Sequence, residues 1–363
     1  MPRYVLRDEL SFVQDMCKVL SQDMSIKAII SRGTFTLTIV VCLIASLQSC
    51  RQRARTSTAA SESVKEFPVP KPPSILTDQA EILSYLGAHY WEPFCALDGK
   101  VDSALVLGVR INDVRENMAA YMQILHSISV EEASKDVAHL FELISAAQMR
   151  LFAQEDKEAS QGGAFYETMT QMVCGYLYDP NSIWRSEDLY LPFVSSLVDS
   201  PLTADEKRPG YRFEQTMCSL NPYMSVAPDF SFKDARGRIG KLSSVHAEHI
   251  ILFFSNPGCQ SCKDIIDALC SRPYLDSMIQ SGRLAIVNIY IDEEIDTWLS
   301  YEKEYPRNWV NAYDYKGVIN SDELYFVRAI PSVYLLDSQH RILLKDAPVE
   351  RVLAFPDAQA QNH

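Results

Sequence analysis

Two cysteines three positions apart, Cys259 and Cys262, are the residues of this chain whose types and spacing best suit chemistry. They stand in the stretch Phe253-Phe254-Ser255-Asn256-Pro257-Gly258-Cys259-Gln260-Ser261-Cys262. Residues 250–254 are apolar and partly aromatic or β-branched, which is the pattern of a short buried strand. Asn256-Pro257-Gly258 breaks it, and a helix is predicted to begin at Cys259. A thiol at a helix N-terminus lies against unpaired backbone N–H groups and the positive end of the macrodipole, which favours the thiolate. Cys259 is therefore the expected nucleophile. Cys262, one turn on and less exposed, would attack the mixed disulfide formed by Cys259 and release the partner. The competing use of such a pair is half a zinc site. A structural zinc takes about four ligands, and the chain has no second CxxC and no HxxxH. No metal and no cofactor are expected.

The surroundings narrow the chemistry. Upstream runs Val226-Ala227-Pro228-Asp229-Phe230-Ser231-Phe232-Lys233, and downstream runs Tyr325-Phe326-Val327-Arg328-Ala329-Ile330-Pro331-Ser332-Val333-Tyr334. With the CxxC between them, these segments resemble the thioredoxin-like superfamily, specifically its membrane-tethered TlpA- and ResA-like thiol-disulfide oxidoreductases. The resemblance covers about Val226 to Phe355. It implies an α/β thioredoxin-like domain, a central mixed sheet flanked by helices, with Ile330–Pro331 as a cis-proline bond facing the cysteines. A cis X–Pro bond is tolerable where other cis bonds are not, and Ile330 and Gly258 would help position the backbone of a substrate strand beside it. The alternative for Pro331 is an ordinary edge-strand proline. The chain departs from the family pattern at Gly258, where an aromatic residue is usual, and at Phe253 and Ile265, where buried acids stand. The proton partner of Cys262 is thus unassigned. Asp264 is the nearest carboxylate, but in a first helical turn it is expected to be a solvated dipole partner.

The elements around the site follow from pattern. A strand is predicted over Leu284–Ile291, a helix around 295–304, an aromatic loop over 308–315, a hairpin of 332–336 with 341–345, and a final helix after Pro348. That is a thioredoxin order with an added N-terminal hairpin.

Ahead of this lie three further segments. Residues 35–47 are an apolar run preceded by Lys27 and Arg32, the layout of a secretory signal, and Leu47-Gln48-Ser49-Cys50 resembles a bacterial lipobox that would lipidate Cys50. Met24 would give such a signal an ordinary length, and a single membrane-spanning anchor is the alternative. Residues 51–74 begin with Arg51, Arg53 and Arg55 and end with four prolines, the composition of a tether. Residues 75–225 read as a mainly α-helical domain. Helical spacing recurs over 82–86, 114–128, 137–152, 165–177 and 187–197. His89-Tyr90-Trp91 and residues 178–191 resemble an uncharacterised helical domain of exported bacterial lipoproteins. His89, Trp91, Trp184 and Tyr190 are candidate site residues there, although aromatic residues at helical spacing are usually core. The connection through Pro201, Pro209-Gly210 and Asn221-Pro222 is expected to cross to the C-terminal domain.

A 363-residue chain that is 47% hydrophobic suits about two domains. Its net charge of −13 argues against nucleic acid as a partner, and the chain shows no basic stripe. Cys95, Cys174 and Cys218 are expected to be buried free thiols, and Cys270 a core residue. Taken together, the resemblance implies an exported, lipid-anchored enzyme of the cell envelope that faces the periplasm or exterior. Its expected substrate is a protein disulfide, reduced or isomerised, and its expected electron source a membrane or periplasmic thiol donor. Two other functions stay open: a non-catalytic thioredoxin-fold binding lipoprotein, and a thiol peroxidase, whose family has threonine where Asn256 stands.

Overall fold

The computed structural model describes residues 64–154 and 162–360, which lie in one compact unit. The predicted signal segment with Met24, the Cys50 lipidation site and most of the tether lie outside the described residues. Among the described residues no helix is long and apolar enough to cross a membrane.

The N-terminal half is helical, as its periodicity predicts. Helix α1 (Gln79–His89) opens on Asp78, whose carboxylate accepts from the amides of Ala80 and Glu81 at 2.9 and 3.1 Å. That satisfies two of the N–H groups a helix leaves unpaired. A short α2 (Glu92–Cys95) and a hairpin of β1 (Leu105–Val106) and β2 (Val109–Arg110) lead into α3 (Ile111–Leu125) and α4 (Val130–Gln154). Helices α5 (Ala164–Leu177), α6 (Glu187–Asp199) and α7 (Arg208–Cys218) complete the bundle. Met118 and Tyr121, Leu140 and Ile144, Met169 and Val173, and Tyr190 and Phe193 meet in one core. Trp91 is in that core too, while Trp184 stacks on His126 at 5.7 Å at its margin and half-buried His89 pairs with Glu92. Two expectations need correction. From Lys65 on, the tether is attached: its amide donates to the Gly108 carbonyl at 2.9 Å, and Phe67 stacks on Phe94 at 5.0 Å. The stretch around Pro209-Gly210 is helix α7 rather than loop, because proline in the first helical turn loses only an N–H that had no partner.

The C-terminal half is a seven-stranded mixed sheet in the order β4-β3-β7-β6-β5-β8-β9. Its strands are β3 (Ser231–Lys233), β4 (Ile239–Lys241), β5 (His249–Phe254), β6 (Leu284–Tyr290), β7 (Val310–Tyr313), β8 (Ser332–Asp337) and β9 (Ile342–Leu344). Helices α8 (Gln260–Cys270), α9 (Pro273–Gln280) and α12 (Val349–Ala360) bring their apolar residues to one sheet face. The short helix α11 (Val318–Ser321) packs on the other, and α10 (Ile295–Tyr301) packs near the end of β6. Strand β7 falls in the stretch expected to be an aromatic loop. Four residues carry too little alternation to be told from a loop, and pairing to β6 and β3 makes them a strand. The register matters for the site. Phe254 lies opposite Ser332, so the chain leaving β5 and the chain entering β8 meet at one end of the sheet.

Buried charge joins the two halves at that end. The Lys345 side chain is fully buried; its Nζ donates to the carbonyls of Cys218 and Leu220 at 2.7 and 2.8 Å and lies 3.3 Å from Glu187 Oε2. Arg328 is 3.2 Å from both Glu187 Oε1 and Asp346 Oδ2, with its guanidinium 4.1 Å above the Tyr178 ring. Asp346 in turn accepts from Ser332 Oγ at 2.8 Å, and Arg185 donates to its carbonyl at 2.7 Å. The connection beyond α7 runs along the outer edge of β9: the Met224 and Ala227 amides donate to Ile342 and His340, each at 2.8 Å. This covers an edge that would otherwise be open to pairing with another chain.

Breaking the cluster should be costly, because it strands an ion away from water. Lys345→Met is expected to lower unfolding stability by roughly 3–5 kcal/mol in a urea titration. Burial, with the like charge of Asp346, pushes the Glu187 carboxyl from 4.5 up to about 7, against the pull of Lys345 and Arg328. A raised carboxyl favours the folded state below the unfolded value and loses that contribution as pH rises through the folded one. Between about pH 4.5 and 7 the wild type should therefore lose stability relative to Glu187→Gln. Parallel stability curves for the two proteins across that window would contradict this.

Candidate redox site

The site begins where β5 ends. Asn256, Pro257 and Gly258 turn the chain, and Gly258 has φ +72°, in the left-handed region that L residues enter at a cost of roughly 1–2 kcal/mol. A Cβ added there would touch nothing within 4 Å, so backbone conformation rather than space favours glycine over the aromatic residue of the resembling proteins. Cys259 is the residue that caps α8, one position before the helix begins, and its Sγ accepts from the Cys262 amide at 3.2 Å. The sulfur thus occupies the place of a capping oxygen, facing the unpaired N–H groups of the first turn.

Cys259 is partly exposed and Cys262 is buried at 1% exposure, in the apolar layer with Phe253, Ile265 and Val333. Both thiols are free. Burial, together with the contact to Cys259, holds the Cys262 thiol well above its ordinary range, while the Asn256 backbone pulls it down. The two sulfurs are therefore unequal: one is reachable and sits at the helix terminus, and the other is shielded behind it.

The Ile330–Pro331 peptide is cis. Because Ser332 pairs with Phe254, this bond enters the sheet beside the strand that leads to Cys259. Ile330 packs against the apolar layers on both sheet faces, closing the end of the sheet. Its neighbour Ser332 is hydrogen-bonded to Asp346, so the buried charge cluster holds the proline segment from behind.

Other residues singled out from sequence lie elsewhere. Asp264 is exposed and accepts from Gln260 Nε2 at 2.8 Å, pointing along the outer surface of α8. Cys95 and Cys218 are buried and Cys174 is half-buried, all free. Cys270 is exposed, not core. At 100° per residue, Leu269 repeats the inward direction of Cys262 seven positions on, and Cys270 is turned about 80° away from it. Among the described residues no three His, Cys, Asp or Glu side chains gather to hold a metal ion.

The structure also assembles a buried polar patch that motif reasoning missed. Ser255 Oγ donates to Asn288 Oδ1 at 2.5 Å, Asn288 Nδ2 donates to Asn311 Oδ1 at 3.1 Å, and Asn311 Nδ2 donates to the Pro306 carbonyl at 2.9 Å. Next to Pro306, Tyr305 is buried beside Ser255. The available signal was Asn288 itself, a lone amide in the apolar run Leu284–Ile291.

A family described as a domain of unknown function (DUF5106) matches residues 45–221. No curated protein matches the chain. Among solved structures, a thioredoxin-like protein from Bacteroides caccae is similar at 26% identity and TM-score 0.64, over 81% of this chain and 98% of that one. A C-terminal domain of an uncharacterized protein from Bacteroides fragilis shares 36% identity over 37% of this chain and 96% of its own, at TM-score 0.36. The thioredoxin domain of a thiol-disulfide oxidoreductase from Bacteroides vulgatus shares 20% identity over 37% of this chain and 96% of its own, at TM-score 0.33. With its sheet order, helix-capping CxxC and cis-proline segment, the chain has a thioredoxin-like fold, similar to the Bacteroides caccae protein, and a DUF5106 domain ahead of it.

Proposed function

We propose that the protein is a thiol-disulfide oxidoreductase that reduces or isomerises disulfides of protein substrates. One observation carries this reading: Cys259 caps α8 with its sulfur on the Cys262 amide, Cys262 is buried behind it, and the cis Ile330–Pro331 segment adjoins them. The Cys259 thiolate attacks one sulfur of a substrate disulfide, releasing the other as a thiol and leaving a mixed disulfide. Cys262 then attacks Cys259 sulfur, so the substrate leaves with two electrons and the pair is oxidised. A thiol donor must reduce the pair again. A thiol peroxidase is disfavoured because Asn256, at the position of the peroxidase threonine, gives its side-chain amide to Asp292 at 2.5 Å.

Export with a lipid anchor at Cys50 is part of the same proposal, supported by the apolar run and the Leu47-Gln48-Ser49-Cys50 sequence. Substrates and donor would then be in the cell envelope, outside the cytoplasm, where disulfides persist.

Three measurements test these statements. Insulin reduction with dithiothreitol should be accelerated by the full chain and fall to the uncatalysed rate with Cys259→Ser; equal rates for the two proteins would leave only a binding module. Equilibration of the Cys259–Cys262 pair against glutathione or dithiothreitol should give a potential near about −270 mV, as expected of a reductant, whereas one near about −120 mV would reverse the direction. Mass spectrometry of protein purified from its own cells should find a diacylglyceryl thioether on an N-terminal Cys50. An unmodified N-terminus upstream of that residue rejects the anchor.

A further inference from the structure

The segment that enters the sheet beside the cysteines has no regular structure of its own. Residues 325–331 belong to no helix and no strand, so no ladder of backbone hydrogen bonds fixes them. Ile330 nevertheless packs on the layer that holds Cys259 and Cys262, and Ala329 just before it is exposed. An irregular stretch of this kind keeps one conformation only if side chains or neighbouring elements hold it.

One carboxylate holds it from both ends. Asp346 Oδ1 accepts from the hydroxyl of Ser332, one residue after Pro331, at 2.8 Å. Asp346 Oδ2 accepts from Nη2 of Arg328, two residues before Ile330, at 3.2 Å. The two oxygens thus close a short loop, Arg328 to Ser332, around the Ile330–Pro331 bond. Ser332 is fully buried, and the Arg328 and Asp346 side chains are only 11% and 8% exposed. Hydrogen bonds to ionised groups gain strength where water is excluded. Asp346 lies where the chain leaves β9, at φ +43°, in the left-handed region that aspartate enters more readily than most residues.

The clip is anchored in the helical half. Arg328 Nη1 donates to the Tyr178 carbonyl at 2.5 Å, its Nε is 3.2 Å from Glu187 Oε1, and its guanidinium stacks on the Tyr178 ring. Arg185, in the same connection between α5 and α6, donates to the Asp346 carbonyl at 2.7 Å. Further back, Phe326 packs edge-on against Phe213 of α7 at 6.2 Å, and Asn221 donates to the Leu324 carbonyl at 2.7 Å. Leu324, Phe326 and Arg328, every second residue of the approach to Pro331, therefore each meet a group from the helical half or the connection that follows it.

We propose that Asp346 is a positioning residue of the redox reaction: with Ser332 and Arg328 it clips the Ile330–Pro331 segment, and the helical half, by holding Arg328, sets the fit of that segment to a protein disulfide. This rests on the oxidoreductase reading for its substrate. A polypeptide lies along the segment, whereas a small disulfide needs only the reachable Cys259 sulfur. The clip therefore governs discrimination between the two and acts on KM for the protein substrate.

The clip is tested first without substrate. Trypsin cuts after Arg328 only when the segment opens, and mass spectrometry of the full chain identifies that cut. Ser332→Ala, which removes one bond and adds no bulk, should speed cleavage there about tenfold, the worth of one hydrogen bond to a charged group. Cleavage after Arg150, inside α4, should keep its rate, and Ser332→Thr, which retains the hydroxyl, should restore the slow cut after Arg328. An unchanged rate after Arg328 in Ser332→Ala, or equal acceleration after Arg150, overturns the proposal. In turnover, the ratio of kcat/KM for insulin to that for glutathione disulfide should fall about tenfold in Ser332→Ala through KM for insulin, and recover in Ser332→Thr. Tyr178→Leu, in the helical half, should move the ratio in the same direction. An equal loss on both disulfides, or an unmoved ratio in Tyr178→Leu, overturns the proposal. A wild type that does not reduce insulin sinks the oxidoreductase reading instead, and the cleavage rates alone then decide the clip.

Discussion

A lysine with no exposed side-chain surface is tolerable only if its charge and all its donors are answered, and Lys345 is answered from the other half of the molecule. Two carbonyls at the end of α7 and the Glu187 carboxylate of α6 take its ammonium. Arg328 and Asp346 complete the cluster, and Ser332 ties it to the proline segment. The desolvation cost of such a group is recovered only at one relative placement of its partners. The helical half is consequently held in register with the cis-proline segment of the thioredoxin fold, and is not a bead on a string.

That arrangement gives the DUF5106 domain a physical relation to the redox site without a chemical one. Aromatic residues such as Trp91 and Tyr121 pack in its own core, and at the junction it contributes charge, backbone carbonyls and the Tyr178 ring beneath Arg328. The segment of Ile330 and Pro331 has a backing shared by both halves.

At the site itself, asymmetry is produced by two ordinary features of a strand-to-helix turn. The left-handed Gly258 lets the chain reverse so that Cys259 falls at the cap, and the helix repeat then carries Cys262 inward. The accessible sulfur meets backbone N–H groups, and the inner one meets hydrocarbon. The Ser255–Asn288 pair is a polar exception on the rows of β5 and β6 whose apolar residues line that layer.

Much of this was legible in the chain itself, for local reasons. Strand β5, the break at Asn256-Pro257-Gly258 and the start of α8 follow from hydrophobic runs and breakers whose effects act within a few residues. Asp78 announces α1 by the same short-range capping logic. The cis-proline segment was expected from its resemblance to a family and was not deducible from spacing. What only tertiary structure decided involves partners distant in sequence. Strand β7 exists because β6 and β3 pair with it, and α7 holds despite Pro209-Gly210 because it packs on α6. Cys270 is turned outward by the phase of a helix whose inner face the sheet selects. Glu187 and Lys345 are 158 positions apart, and Ser255 and Tyr305 are 50 apart. No periodicity or motif links such pairs, since burial and charge pairing arise only when the folded chain removes them from water together.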